Sequence, residues 1–267
     1  MKKNRCFFYG LLILLFLLTL VALLAPVLAP HDPYATSLAD ALLGPCESYP
    51  LGTDQLGRCL LSRIVYGARL SLFSAVTVTV IVFFFGTVVG VCCGYFGGWV
   101  DALFHPLITM VQSFPRLILA MAIAGLLGIG IGNMIFALCL VGWVEYARLA
   151  RSFTQSLRQQ TFLQAARLCG ESHGRILFCR IVPNILPPLL VQASLGIAGV
   201  ILEIAALSYL GFGVEEPLAE WGAMISQGRG EMQTHVMLIV YPSIALFLTA
   251  ALFQLLGEAG RDVIEES

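Results

Sequence analysis

Long stretches without a charged side chain are the feature that most constrains the fold of this chain. Of its 267 residues, 58% are hydrophobic and 12% are charged, whereas roughly a quarter of the residues of a soluble domain are charged. A helix that crosses a bilayer needs about 20 apolar residues. The apolar runs predict an all-α membrane protein with about six transmembrane helices, at residues 7–29, 70–99, 102–127, from 134 to near 146, 185–212 and 236–256.

The charges beside these runs predict their orientation. Lys2, Lys3 and Arg5 precede the first run, which is longer than the apolar core of a signal peptide. We therefore expect a retained first helix with a cytoplasmic N-terminus. Residues 148–180 carry six arginines and one acid, and residues 213–233 carry four acids and one arginine. This asymmetry places the first segment inside and the second outside, although three arginines, Arg58, Arg63 and Arg69, fall in the outer segment.

The same runs divide the chain into three parts. Residues 1–30 form the N-terminus and the first transmembrane helix, residues 31–69 an extracytoplasmic segment, and residues 70–267 a transmembrane core with a cytoplasmic loop at about 151–184.

Several functions are excluded by composition. Lys2 and Lys3 are the only lysines, so the chain has no phosphate-binding loop of the G-x-x-x-x-G-K-[ST] type. A net charge near −1 leaves no basic surface for nucleic acid. The eight cysteines show no C-x-x-C spacing, so we expect no zinc site.

Glycines recur at every fourth position of the second run, at Gly86, Gly90, Gly94 and Gly98. Small residues on one face let another helix approach closely in a membrane. The spacing fits either a static packing surface or a contact that slides during transport.

Two ionisable side chains lie inside apolar runs. Glu203 is near the middle of the fifth run, and Arg116 follows the Phe114–Pro115 break in the third. A charge in the bilayer is costly, so each should face protein or water. We expect them to pair with each other, to satisfy nearby backbone groups, or to line a translocation pathway.

The cytoplasmic loop is the most informative segment. Residues 164–170 read QAARLCG and residues 171–184 read ESHGRILFCRIVPN, which predicts a short helix, a glycine turn and a second basic amphipathic stretch. Composition favours a segment that lies on the lipid surface, and a docking site for a soluble partner is the alternative.

These residues resemble the EAA loop of permease subunits of bacterial ABC importers. The match consists of Gln164, Ala165 and Ala166, then Gly170 and Pro183, with Gln164 in the place of the usual glutamate. The resemblance implies that the loop is a coupling helix that docks on an ATPase subunit. It also implies the type I permease fold.

The resemblance extends along nearly the whole chain and points to the second permease of the dipeptide, oligopeptide and nickel importers. Its motifs include LGTDQLGR at 51–58, GGWVD at 97–101, LSYLGFG at 207–213 and EWGAMI at 220–225. The implied docking sites for a binding protein are outer-loop residues, including Asp54, Arg58, Glu220 and Trp221. Cys59 and Arg116 depart from the residues usual in this family.

The implied partners are a second homologous permease, two ATP-binding subunits, an extracytoplasmic solute-binding protein and the bilayer of a bacterial inner membrane. ATP would be used by the partners, and this chain would bind no cofactor and have no enzymatic site. The cargo would be nickel, a nickel chelate, or di- and oligopeptides, with residues 232–234 and the short N-terminus closer to nickel-type members.

Three further expectations remain open. His31 and His235 would lie near the outer face, where imidazole is a possible nickel ligand, although we assign no metal site. Cys46 and Cys59 would both be outside and could form a disulfide. An ATP-independent secondary transporter is the alternative function, but it would need internal repeats and midplane ion-binding groups that the sequence does not show.

Overall fold

The computed structural model describes residues 2–265 of the chain, and the side chains of residues 6–263. Within this part the structure is almost entirely helical, and the one β contact is an isolated bridge between Thr53 and Cys59. Helices suit these apolar segments because lipid offers no hydrogen-bond partners, and a helix pairs its backbone N–H and C=O groups with one another. The side chains of Lys2, Lys3 and Arg5, on which the orientation partly rests, lie outside the described residues.

Eleven α-helices are present in the described part. They are α1 (Lys2–Leu23), α2 (Ala25–Leu28), α3 (Leu60–Phe96), α4 (Gly98–Gln112), α5 (Arg116–Leu127), α6 (Ile131–Arg158), α7 (Thr161–Leu168), α8 (His173–Ile176), α9 (Val182–Tyr209), α10 (Trp221–Gly228) and α11 (Met237–Glu265). A π-helical segment, Leu177–Ile181, makes α8 and α9 continuous.

Five of the long helical segments are apolar enough to cross a membrane, and the bent pair α4–α5 is the sixth candidate. The two helices of the pair meet at 93°. Pro115 lies at the bend and forms the N-cap of α5. Proline has no backbone N–H and disfavours a helical residue before it, so it ends α4 and sets the new direction of α5.

Contacts between loops show that the bent pair connects the two ends of the molecule. Gly130 follows α5, and its N–H donates to the Gly213 carbonyl at 3.1 Å. The segment 210–236 also contacts the segment 29–59, because Gln55 Nε2 donates to the Gln227 carbonyl at 2.9 Å. At the opposite end, Arg151 of α6 binds Asp101 of α4 through two bonds of 2.6 and 2.7 Å. The pair therefore completes six crossings. We call the end with residues 29–59 and 210–236 the outer end, and the end with residues 159–172 the inner end.

The core is organised around the contact of α3 with α6. A Cβ atom on Gly86 would lie 2.8 Å from Tyr146 Cβ, one on Gly90 2.8 Å from Ala150 Cβ, and one on Gly94 2.7 Å from Thr154 Cβ. Three of the four predicted glycines therefore lie directly against α6. Gly98 does not, because α3 ends at Phe96 and Gly98 begins α4 with open space beside it.

Helix boundaries differ from the sequence-based prediction in two places. α3 begins at Leu60, ten residues before the start of the predicted second run. α6 continues to Arg158, well beyond residue 146. In both cases the helix extends through polar residues, because these residues contact other parts of the protein. Hydropathy of the sequence does not report such contacts.

The glycine contact makes a stability prediction. Gly90→Ala should lower stability by about 1–3 kcal/mol because the added methyl group overpacks the α3–α6 contact. Gly132→Ala is the matched control, because a Cβ atom there meets nothing within 4 Å. Thermal unfolding in detergent should show a lower midpoint for the first variant and no loss for the second. Equal midpoints would contradict a tight helix contact.

Candidate functional site

The outer end contains a buried network of charged side chains. Arg58 Nε lies 2.6 Å and Arg63 Nε 3.4 Å from Asp54 Oδ2. Both guanidinium groups also reach Gln227 Oε1, Arg58 Nη2 at 3.4 Å and Arg63 Nη2 at 3.1 Å. The network ties the start of α3 to the end of α10, and it explains why two arginines are tolerated at the outer end.

A second set of buried contacts begins α10. The Trp221 indole N–H donates to the Ile64 carbonyl at 3.0 Å. The Glu220 carboxylate accepts from Ser71 Oγ at 3.1 Å and from the Ala223 N–H at 2.9 Å, so it is the N-cap of α10. Burial raises the pKa of Glu220 above its ordinary value, against the lowering effect of these hydrogen bonds.

These four side chains are buried in the chain. Asp54, Arg58, Glu220 and Trp221 are between 1 and 9% exposed, and their contacts hold the outer end together. Docking of a binding protein on the outer loops that contain them stays a prediction. Accessible side chains at this end lie in the 29–59 segment, for example Leu38 and Glu47.

A cluster of charges lies between α5, α6 and α9. Arg116 Nη1 donates to Glu145 Oε2 at 3.2 Å, and Arg116 Nε lies 3.0 Å from Glu203 Oε1. Gln192 Nε2 donates to Glu145 Oε1 at 3.0 Å. The structure thus pairs Arg116 with Glu203, which was one of the three alternatives from the sequence, and adds Glu145 and Gln192.

Glu145 was missed because it falls at the predicted end of the fourth run, where an acid is typical of the membrane interface. The available signal was the absence of a helix breaker between residues 146 and 158, since a continuous helix places Glu145 well inside the span.

The charge cluster borders a pocket on the surface of the chain. The side chains of Arg116 and Glu145 are about one-third exposed, and that of Glu203 is 19% exposed. The pocket is lined by Val111, Gln112, Phe114, Arg116, Val141, Gly142, Val144, Glu145 and Arg148. Apolar walls with a few charged groups suit a polar solute whose charged ends must be matched.

The inner end carries α7 and its glycine turn. The Gly170 N–H donates to the Arg167 carbonyl at 3.0 Å and the Glu171 N–H to the Ala166 carbonyl at 3.1 Å. This pattern is a Schellman motif, which needs a left-handed residue after the helix. Gly170 supplies it with φ of +76°.

Side chains of α7 divide into a buried and an exposed face. Leu163 and Ala166 are buried, whereas Gln164, Ala165 and Leu168 are exposed, Leu168 to 89%. Gln164 Nε2 donates to the Gln159 carbonyl at 3.3 Å.

Three contacts fix the end of α7 and the loop after it. Tyr95 Oη lies 2.8 Å from His173 Nδ1, and the Arg167 guanidinium lies 5.1 Å from the centre of the Tyr95 ring. Arg180 Nη2 donates to Glu171 Oε1 at 2.9 Å, and this hydrogen bond lowers the pKa of Glu171. Pro183 is exposed at the second residue of α9, directly after the π-helical segment Leu177–Ile181.

The remaining expectations concern cysteines and histidines at the outer end. Cys46 is exposed and Cys59 is buried, and both are free thiols, so the suggested disulfide is not formed. His31 stacks on Tyr49 at 4.8 Å, and His235 contacts Thr234. Among the described residues, no three His, Cys, Asp or Glu side chains are grouped to hold a metal ion.

Comparison with known families matches two models. Residues 86–266 match the model described as binding-protein-dependent transport system inner membrane component. The chain belongs to this family. Residues 1–45 match the N-terminal transmembrane domain of oligopeptide transport permease C.

Curated relatives cover almost all of the chain. A dipeptide transport system permease protein, DppC, of Alkalihalophilus pseudofirmus is 39% identical over 99% of this chain and 87% of its own length. The nickel transport system permease protein NikC of Escherichia coli K12 is also 39% identical, over 95% of this chain and 92% of its own length. The glutathione transport system permease protein GsiD of Pectobacterium atrosepticum is 35% identical, over 96% and 85%.

A solved structure supports the fold. The chain aligns with an inward-facing MetNI methionine ABC transporter with a TM-score of 0.59 and 17% identity, covering 78% of this chain and 97% of the other. The protein is therefore a multi-pass inner-membrane permease subunit of the ABC importer class with the type I fold. Its relatives are permeases, and the comparisons give no support to an ATP-independent secondary transporter.

The bond between Tyr95 and His173 makes a prediction about the inner loop. Tyr95→Phe should speed local opening of residues 161–176 about fivefold, because it removes one hydrogen bond worth about 1 kcal/mol. Hydrogen exchange in detergent measures this opening. Tyr9→Phe is the control, since Tyr9 is 62% exposed on α1. Unchanged exchange in Tyr95→Phe would show that the loop does not depend on this bond.

Proposed function

We propose that this chain is one of two different permease subunits of an importer that moves di- or oligopeptides, or nickel as the ion or a chelate, by alternating access. A second homologous permease completes the pathway, two ATP-binding subunits supply the energy, and an extracytoplasmic binding protein delivers the cargo. The chain itself binds no cofactor and hydrolyses no ATP.

The observation that carries the coupling role is the construction of α7. Its exposed residues Gln164, Ala165 and Leu168 face away from the protein, and its end is fixed by Gly170. A short rigid helix with an accessible outer face can transmit a movement of the ATPase to the transmembrane helices, whereas a mobile loop would change its own conformation. In this proposal α7 docks on the ATPase, which we favour over a position on the lipid surface.

The outer end would receive the binding protein. Asp54, Arg58, Glu220 and Trp221 are buried, so their proposed role is to position the outer segments and not to touch the partner. The 29–59 segment supplies accessible residues for that contact.

The pathway would pass the charge cluster. Arg116 and Glu203 lie beside a pocket on a face that is open in the isolated chain, and a second permease on that face would turn the pocket into part of a channel. Charged residues inside a span commonly mark such a route.

The relatives include both dipeptide and nickel permeases, so they indicate a set of possible cargoes and not a single one. The dipeptide and the nickel permease are equally similar to this chain at 39% identity, so similarity does not choose between them.

The coupling role is tested at Gly170. Gly170→Val should reduce solute uptake while ATP hydrolysis continues, because Gly170 has a φ of +76°. An ordinary side chain in this left-handed region costs about 1–2 kcal/mol, and a β-branched side chain costs more. No atom lies within 4 Å of a Cβ atom there, so the strain is local to the turn. The measurement is the number of ATP molecules hydrolysed per solute imported by the reconstituted complex.

Two controls separate strain from side-chain bulk. Gly170→Asn should retain most of the coupling, since asparagine tolerates the left-handed region. Gly174→Ala should behave as the unaltered protein, because Gly174 has negative φ and open space. Coupled transport by Gly170→Val at the normal ratio would count against docking through α7.

A further inference from the structure

A second pocket lies at the outer end, where α3 enters the membrane. Its walls come from the outer segments and from α3, and they include Tyr34, Arg69 and Leu218. We call it the outer pocket. No charged residue occurs in the sequence between Arg69 and Asp101. Because a charged side chain is costly inside the apolar core, Arg69 marks the boundary between the membrane and the outer water.

The Arg69 side chain gives the outer pocket a positive charge without a partner. Arg69 is exposed, and none of the ion pairs between the described residues includes it. Asp32 accepts from the Tyr34 N–H at 2.9 Å, but it does not line the pocket. A guanidinium group can hold a phosphate group through two parallel hydrogen bonds, so the pocket suits a phosphate ester.

Two tyrosines stand beside Arg69 and add hydroxyl donors. The rings of Tyr34 and Tyr66 pack edge to face, with their centres 5.9 Å apart, and both side chains are half-buried. Burial raises the pKa of Tyr34 above its ordinary value, so its hydroxyl keeps its proton. The hydrogen bond between Tyr34 and Asp32 uses the backbone N–H, which leaves the hydroxyl available. Tyrosine is typical of the level of lipid headgroups.

An exposed apolar stripe continues from the outer pocket toward the centre of the membrane. At 100° per residue, its members lie within about 80° of one another on α3, on the same face as Tyr66 and Arg69. The stripe consists of Phe73, Val76, Val80 and Phe84, all of them exposed. From Phe73 to Phe84 it extends about 16 Å, which is about half the thickness of the apolar core. This length matches an acyl chain of one leaflet.

The stripe faces away from the charge cluster. A Cβ atom on Gly142 would lie 3.1 Å from Arg116 Nη2 and 3.1 Å from Val82 Cγ1, so Val82 is on the side of the cluster. Val80 is two residues earlier on α3 and points about 160° away from Val82. A second permease on the face of the cluster therefore leaves the stripe to lipid.

We propose that the outer pocket binds the headgroup of an anionic phospholipid of the outer leaflet. Arg69 and the tyrosine hydroxyls donate to the phosphate oxygens, and one acyl chain lies along the stripe. Free phosphate would not need the apolar walls that Leu70, Phe73 and Leu218 form below Arg69. The site goes beyond the import function, because it concerns how this subunit is held in its membrane.

The experiment measures lipid binding to the complete complex of permeases and ATPases in detergent, by native mass spectrometry. The probes are phosphatidylglycerol and phosphatidylethanolamine with the same oleoyl chains. The unaltered complex should bind phosphatidylglycerol more tightly, since that headgroup has no ammonium group to oppose Arg69. Arg69→Gln should weaken one phosphatidylglycerol site about tenfold, because it removes hydrogen bonds to a charged group.

Three further variants separate the charge from general effects. Arg69→Lys keeps the charge and should retain most of the binding. Tyr66→Phe keeps the ring against Tyr34 and should weaken the same site about fivefold, the effect of one lost hydrogen bond. Arg229→Gln is the matched control, because Arg229 is also an exposed arginine at the outer end, and it should leave the site unchanged.

Four results would overturn the proposal. Equal phosphatidylglycerol binding by Arg69→Gln and the unaltered complex would do so, and so would equal weakening by Arg229→Gln. Displacement of the lipid by millimolar inorganic phosphate would identify a site for free phosphate. Unchanged lipid binding together with weaker association of the binding protein in Arg69→Gln would identify a protein contact. Because the assay involves no transport, each of these results leaves the proposed import function standing.

Discussion

The close contact of α3 with α6 lies at the centre of the structure and positions both of its ends. Lipid provides no hydrophobic force between two apolar helices, so their association relies on direct packing. Gly86, Gly90 and Gly94 remove the side chains that would hold the backbones apart. Each end of this helix pair then carries a functional part of the molecule. The start of α3 holds Arg63 in the outer network, its end places Tyr95 against His173, and α6 leads into α7.

A second constraint is the presence of charge between apolar helices. The bend at Pro115 places Arg116 at the start of α5, where it reaches acids from two other helices, Glu145 and Glu203. An isolated charge there would be costly, and the shared guanidinium reduces that cost while leaving one carboxylate oxygen unmatched. The contacts that stabilise the bend are therefore also the charge cluster that we propose the translocation pathway passes.

Much of this architecture could be predicted from the sequence. The apolar runs gave the six crossings, because hydropathy over about 20 residues measures the property that lipid selects. The Gly170 turn and the glycine repeat were visible because each has a local cause in backbone geometry or helix periodicity. The start of α3 and the position of Glu145 were missed, since both depend on partners distant in the chain. Burial of Asp54, Arg58, Glu220 and Trp221 was missed for the same reason, and motif resemblance gives no information about exposure.

If a rigid α7 at the inner end contacts an ATPase, site-specific crosslinking will detect that contact. A photoreactive amino acid at Leu168, which is 89% exposed, should form an adduct with the ATP-binding subunit in membranes. The same probe at Leu38, which is 76% exposed at the outer end, should not. Adducts of the Leu168 probe with lipid or with the binding protein, and none with the ATPase, would contradict the account.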